Sequence, residues 1–328
     1  MSEFVRTGQG TTDVLPAMQF AADVHYYLQQ SPRQLPSRYF YDELGSALFE
    51  AICRLPWYRI TRAESRLLAA HGSEVFRRLG STSTIVELGS GSGDKLRLLI
   101  EAGGSRCSVL DVHLVDVSAS ALEDSARMLG SLDNLRITTH QATYEAGLAE
   151  VARLTPAGAH SLVLFLGSNI GNFDPPGAEE FLRGIRANLG AGDALLLGAD
   201  LVKPERDLLL AYDDPLGVTA AFNRNLLVRI NRELGGDFDI DGFAHRAVWN
   251  AVDSRVEMHL VARAAQQIHI ERAELEFQME RDEPIWTESS YKYQPGDVVD
   301  LLERCGFRLM EQWIDRESPF ALTFVEAI

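Results

Sequence analysis

Cysteine is scarce: Cys53, Cys107 and Cys305 are the only three in 328 residues, with no C-x-x-C pair and no His/Cys ligand spacing. That pattern argues against a disulfide framework and fits free thiols in a reducing compartment. Long apolar runs are missing too; none approaches the ~18 residues that a membrane-spanning helix needs. The opening MSEFVRTGQGTTDVL has no cationic start followed by an apolar stretch, so no signal peptide is expected. Positive charge is the third shortage. Lys and Arg number 31 against 47 Asp and Glu, a formal net charge of −16, and no basic run offsets it locally. Such a chain repels nucleic-acid phosphates and anionic membranes, so the expected partner is a small molecule and the expected compartment the cytoplasm. The eight histidines form no H-x-H or H-x-x-x-H cluster; His245, His259 and His269 stand 14 and 10 residues apart, and no metal site is expected. No G-x-S-x-G stands at a strand-to-helix turn in a triad-compatible place, which argues against Ser-His-Asp hydrolysis. Internal repeats and low-complexity segments are absent.

What remains is an ordinary globular composition, 46% apolar and 24% charged, long enough for one large domain or two small ones. From about Ala63 the chain alternates helical and strand patterns. AESRLLAAHGSEVFRRL is helical, and STIVELG is a short buried strand ending in glycine. DKLRLLIEAG is helical; SVLDVHLVDVS is a strand ending in Asp116, after which Ser118 caps ASALEDSARML. RITTHQAT is a weaker strand and SLVLFLGS a strong one. PPGAEEFLRGIRANLG opens on proline and closes on glycine, and DALLLGAD is the fifth strand. Strands alternating with helices of this length predict an α/β fold with a parallel sheet covered on both faces. Residues 201 to 292 break the rhythm, with helical GVTAAFNRNLLVRINRELG and then strand-like SRVEMHLVARAAQQIHI and AELEFQME. A helix, PGDVVDLLERCG, follows, and then FRLMEQWIDRE and FALTFVEAI, two strands joined by a short turn and so paired antiparallel. The first 60 residues show no strand–helix rhythm and are expected to pack with the insertion. The expected domains are residues 63–200 with 293–328, and residues 10–62 with 201–292.

A parallel core closed by a terminal antiparallel hairpin is similar to the Rossmann-like fold of class I methyltransferases. The glycine stretch IVELGSGSGDK (85–95) points the same way. A dinucleotide fingerprint requires G-x-G-x-x-G, but here Gly89, Gly91 and Gly93 are evenly spaced and Asp94 stands where the third glycine would be. E-x-G-x-G-x-G resembles the first motif of S-adenosylmethionine-dependent methyltransferases, whose cofactor has no pyrophosphate and needs close backbone approach rather than an anion cradle. Asp116, 27 residues after Gly89 at the end of the next strand, sits where a carboxylate can accept from both ribose hydroxyls.

More specific text lies outside this core. SRYFYDELGSALFEAICRLPWYRITRAE (37–64), FLGSNIGNF (165–173), AYDDPLGVTAAFNRNLL (211–227), RVEMHL (255–260) and WTESSYKY (286–293) together resemble the histidine-specific S-adenosylmethionine methyltransferases. The resemblance runs from about residue 30 to the end. It implies a monomer that trimethylates the α-amino group of L-histidine to hercynine, the ergothioneine precursor, releasing S-adenosylhomocysteine. In that family a second domain caps the cofactor domain and builds the amino-acid pocket.

The resemblance also implies roles for particular residues. Asn172 holds the amino and carboxylate end of the substrate, where its amide can donate and accept. Tyr58 and Tyr212 bind the carboxylate end, and Tyr41 lies close to the reacting amine. Glu288 and Ser290 read the imidazole, a carboxylate for the ring N–H and a hydroxyl for the other nitrogen. Met258 matches a pocket wall and reads equally as strand core. Gly89, Gly91, Lys95 and Asp116 carry over as the cofactor set, although Lys95 also reads as a helix-surface lysine. Thr143 and Tyr144 stand where family members have Asp-Phe or Asp-Tyr, whose acid bonds the adenine amino group; the threonine can accept that bond only without charge. The proton acceptor between rounds is Tyr41 or water. Methyl transfer from a sulfonium depends on alignment rather than Lewis-acid help. The rival readings are the same enzyme acting on another amino acid or small amine, a non-catalytic binding module of the same fold, and a protein or nucleic-acid methyltransferase.

Overall fold

In the computed structural model, which describes residues 4–6, 14–79, 82–104, 110–156 and 158–328, the chain opens with strand β1 (Phe4–Arg6) and helix α1 (Val14–Leu28). A two-residue strand β2 (Arg33–Gln34) leads to α2 (Glu43–Arg54) and α3 (Ile60–Leu79). The expected alternation follows as β3 (Thr82–Leu88), α4 (Asp94–Gly103), β4 (Leu110–Asp116), α5 (Ala119–Leu129) and β5 (Leu135–Gln141). It continues through α6 (Tyr144–Leu154), β6 (His160–Phe165), α7 (Pro175–Ala187) and β7 (Ala194–Asp200). Helices α8 (Glu205–Tyr212) and α9 (Val218–Leu234) come next. Strands β8 (Phe243–Asn250), β9 (Arg255–Ala262), β10 (Gln266–Ile270), β11 (Leu275–Met279) and β12 (Pro284–Tyr291) then run in succession. Helix α10 (Pro295–Arg304) and the strands β13 (Phe307–Ile314) and β14 (Phe320–Ala327) close the fold.

The chain divides into two compact units, each described by itself. The first comprises Arg59–Lys203 and Tyr291–Ile328 together with β1. Among the described residues its strands form an eight-stranded sheet in the order β1-β5-β4-β3-β6-β7-β14-β13. The run β5-β4-β3-β6-β7 is parallel, while β14 lies antiparallel to both β7 and β13. Strand β7 is buried at every residue and β6 at all but its first, which is why both read as unbroken apolar runs. Local chemistry sets the helix starts: Ser118, Thr143 and Asp174 each accept a backbone N–H from the first turn of α5, α6 and α7, and Pro175 follows the last. The order of connection matters for function. From β3 the chain moves outward through β4 to β5, then returns to the other side of β3 for β6 and β7. The sheet therefore reverses direction between β3 and β6, and open α/β sheets bind ligands in the crevice beyond the strand ends at such a point.

The second unit comprises the described residues of Gly8–Tyr58 together with Pro204–Ser290. Its larger sheet runs β2-β12-β9-β8, and β10 pairs antiparallel with β11. Helix α9 is anchored by Phe222, 2% exposed, which stacks on Phe40 at 4.6 Å and packs against Phe49 of α2 at 5.9 Å. Burying a phenylalanine of this kind stabilises a fold by roughly 1.5–3 kcal/mol. Polar ties reinforce the packing: Asn225 donates to Asp42 at 2.7 Å, and Arg232 reaches the same carboxylate at 2.6 Å.

Three details depart from expectation. The opening segment contains a strand after all, since β1 adds to the sheet parallel to β5, pairing Phe4 with Ile137 and Arg6 with Thr139. An edge strand offers unpaired N–H and C=O groups to any extended segment, so no side-chain pattern announces the pairing. The strand-like text 254–270 is broken into β9 and β10, because Arg263 turns out of the sheet and donates its N–H to Gly242. Strands β8 and β12 lie where no strand is expected, each with only part of its face buried. Cys53 and Cys305 are free thiols, and Cys107 lies outside the described residues.

Candidate active site

In the first unit, the loop after β3 holds Gly89 at φ +83°, a left-handed conformation that side chains resist. A Cβ there would also meet Asn169 Nδ2 and Tyr144 Oη, each at 3.1 Å, so the glycine leaves a shallow notch between them. Gly91 lies two residues along, and its N–H, with those of Ser90 and Ser118, is accepted by the Asp116 carboxylate at the end of β4. Burial pushes the pKa of Asp116 up, and these backbone donors pull it back. Thr143 is exposed and caps α6, its hydroxyl accepting from Ala146 N at 3.4 Å. Tyr144 next to it is edge-on to Phe165 at 5.4 Å, and burial raises its phenol pKa. Asn172 is half-buried and ends the short turn Asn169–Asn172 that follows β6.

Lys95, in the first turn of α4, is the basic member of this group. Its ammonium lies 2.7 Å from Glu64 Oε2, with a quarter of the lysine side chain exposed and none of the glutamate's. Glu64 also accepts the Gly167 N–H at 2.8 and 3.0 Å. Glu87, just before the glycine loop, is fully buried. Desolvation pushes its carboxyl up to about 8, against a lowering pull from Lys95, and its Oε2 has no hydrogen-bond partner. Asp200, at the end of β7, pairs with Lys203 at 2.5 Å and Lys292 at 3.1 Å and donates its N–H to Ser168. Sequence reasoning missed Glu64, Glu87, Asn169 and Asp200. Glu64 and Asn169 stand inside the motif blocks TRAE and GSNIGN, which is the one signal that could have found them.

In the second unit, Tyr41 and Tyr58 both pack edge-on to Phe49, at 5.6 and 6.2 Å between ring centroids. Tyr212 is 8% exposed, and its hydroxyl donates to Ser290 Oγ at 2.7 Å, joining two blocks 78 residues apart. A polar network lies behind this pair. Asn223 donates to His245 Nδ1 at 2.9 Å, and His245 Nε2–H donates to the Tyr212 carbonyl at 2.8 Å. Thr287 donates its hydroxyl to Asn223 Oδ1 at 2.7 Å, and its Oγ1 lies 3.0 Å from the Met258 carbonyl. Burial holds the His245 pKa below its ordinary value, so the ring is neutral near pH 7 and serves as a fixed tautomer. Met258 is 1% exposed on β9. Glu288 is half-buried on β12 and shares a strand face with Ser290 two residues on. Its carbonyl accepts the Trp286 indole N–H at 2.8 Å.

The profile of one family, described as histidine-specific, S-adenosylmethionine-dependent methyltransferase, matches residues 20–327. The chain belongs to that family. It is similar to the histidine N-alpha-methyltransferase of Mycolicibacterium smegmatis, 40% identical over 92% of each chain. The counterpart in Mycobacterium tuberculosis has the same identity and coverage. "Ergothioneine biosynthesis protein 1" of Neurospora crassa is 30% identical over 79% of this chain and 31% of its own length.

The residues of this methyltransferase fit the cofactor its family uses. The notch at Gly89, the Asp116 carboxylate and the part-exposed Lys95 ammonium stand at the switch point between β3 and β6. They match, in turn, close backbone approach, a diol and a carboxylate. Among the described residues, no group of three or more His, Cys, Asp or Glu side chains is placed to hold a metal ion. No helix among them is long and apolar enough to cross a membrane.

Proposed function

We propose that the protein trimethylates the α-amino group of L-histidine, giving hercynine and S-adenosylhomocysteine. Residues 63–200 with 293–328 form the cofactor domain, and residues 10–62 with 201–292 the substrate domain. When bound, S-adenosylmethionine supplies a methyl group on a sulfonium, already electrophilic.

The chain's own residues then bind and orient. Gly89 and Gly91 admit the cofactor backbone closely, Asp116 accepts from the ribose diol, and Lys95 takes the methionine carboxylate. Tyr144 lines the adenine side, with the uncharged Thr143 hydroxyl beside it. Tyr58, Tyr212 and Asn172 hold the carboxylate and amino end of histidine. Tyr41 lies at the amine and orients its lone pair, because a neutral amine in line with the methyl is the reactive form. Glu288 and Ser290 read the ring, and Met258 backs the pocket.

The observation that supports this reading most directly is the buried Tyr212–Ser290 hydrogen bond of 2.7 Å. On this reading the carboxylate ligand Tyr212 touches the imidazole ligand Ser290, a separation suited to a short amino acid. Mass spectrometry after incubation with S-adenosylmethionine and the twenty amino acids together tests it. Histidine alone is expected to gain three methyl groups. Methylation of another amino acid instead refutes the Glu288–Ser290 assignment, and no methylated product at all refutes the activity.

A further inference from the structure

Glu64 is an odd residue to find at the centre of the first unit. A carboxylate with none of its side chain exposed is costly unless every oxygen is partnered, and here both are. Oε1 and Oε2 accept the Gly167 N–H, and Oε2 also holds the Lys95 ammonium at 2.7 Å. The third wall is Gly198 of β7. A Cβ on Gly198 would stand 2.0 Å from Glu64 Oε1, so that position has to lack a side chain for the carboxylate to sit where it does. Glu87, the other acid near Lys95, has one buried oxygen, Oε2, with no partner, whereas both oxygens of Glu64 are held.

The arrangement is asymmetric in a useful way. Lys95 has three N–H donors, and Glu64 sits behind it, buried, while a quarter of the lysine remains open. A free lysine would spend its rotamer entropy on each ligand it met; one held from behind has already lost it. The same carboxylate fixes Gly167, at the start of the loop whose Asn169 lies beside Gly89.

We propose that Glu64 is a positioning residue for the amino-acid end of the cofactor, holding Lys95 from behind so that its part-exposed ammonium meets the methionine carboxylate. This rests on the cofactor reading given above. It separates Glu64 from a purely structural clamp, because only the carboxylate-bearing part of the ligand passes through Lys95.

Calorimetry with two ligands provides the test: S-adenosylhomocysteine, which has the amino-acid end, and 5′-methylthioadenosine, which lacks it. In Glu64→Gln the amide keeps the shape but turns an N–H donor onto Lys95 or the Gly167 N–H. The expected loss for S-adenosylhomocysteine is roughly 10- to 100-fold, with 5′-methylthioadenosine changed by no more than about twofold. Gly198→Ala leaves every charge in place and displaces the carboxylate, and it should give the same selective loss. It also keeps the test open if Glu64→Gln fails to fold. In a Lys95→Met background, adding Glu64→Gln should cost little more, since the two act through one contact. Equal loss of both ligands, an unchanged ratio between them, or full additivity with Lys95→Met overturns the proposal. Failure of the unmutated protein to bind S-adenosylhomocysteine points instead to the cofactor reading itself.

Discussion

Glu87→Gln should alter how stability depends on pH. Glu87 is fully buried between the parallel strands, and desolvation pushes its carboxyl from 4.5 up to about 8. Below pH 4.5 the group is protonated in both the folded and the unfolded chain, and its contribution to stability is fully present. Between 4.5 and 8 the folded chain keeps a proton that the unfolded chain has released, so stability falls as pH rises, and the loss is complete above the folded pKa. The slope is at most ~1.4 kcal/mol per pH unit, which sets a ceiling of ~5 kcal/mol over the whole window. Structural relaxation and water entry on ionisation bring the realised figure nearer ~1–3 kcal/mol. Glutamine has nearly the same shape and does not titrate, so every other group cancels when the two proteins are compared. Urea unfolding at half-unit steps from pH 5 to 8 is the assay. The variant and the unmutated protein should be close at pH 5, and the variant should gain steadily above it. Parallel curves across the range would show that Glu87 is already ionised in the folded protein, and the burial argument would be wrong.

Three substitutions probe the site itself. Asp116→Ala removes the acceptor for the Ser90, Gly91 and Ser118 N–H groups and, on the proposed reading, the one for the ribose; cofactor affinity should fall roughly 10- to 100-fold, and calorimetry at the unmutated value would contradict the role. Glu288→Ala should raise KM for histidine steeply while leaving cofactor affinity intact, and unchanged histidine turnover would remove Glu288 from ring recognition. Tyr212→Phe deletes the donor to Ser290 and should cost ~0.5–1.5 kcal/mol in urea unfolding together with a higher KM. If the unfolding midpoint and KM both stay put, that buried hydroxyl contributes nothing to the pocket.

Much of the fold is legible from local text, because its signals act over a few residues. STIVEL and DALLLGAD read as buried strands because both faces of the sheet are covered, and Ser118 and Pro175 mark helix starts because each serves the turn next to it. The even glycine spacing and the acid at Asp116 likewise announced a turn and the end of the next strand. Strand β1 escaped because it is held by main-chain pairing to β5, which leaves no side-chain signature.

The site divides along the same line. Sequence by itself determined the α/β class, the terminal hairpin, the family and which residue types are available for chemistry, since these depend on periodicity and on motif order. Tertiary structure alone decided which of those residues meet. Lys95 reads as a surface lysine until packing sets Glu64 behind it, and Tyr212 finds Ser290 across 78 residues of chain. Glu87 looks like any strand acid until the strands around it exclude water. Ion pairs, buried hydrogen bonds and displaced pKa values depend on distance and solvent exclusion, and those exist only once remote segments have packed.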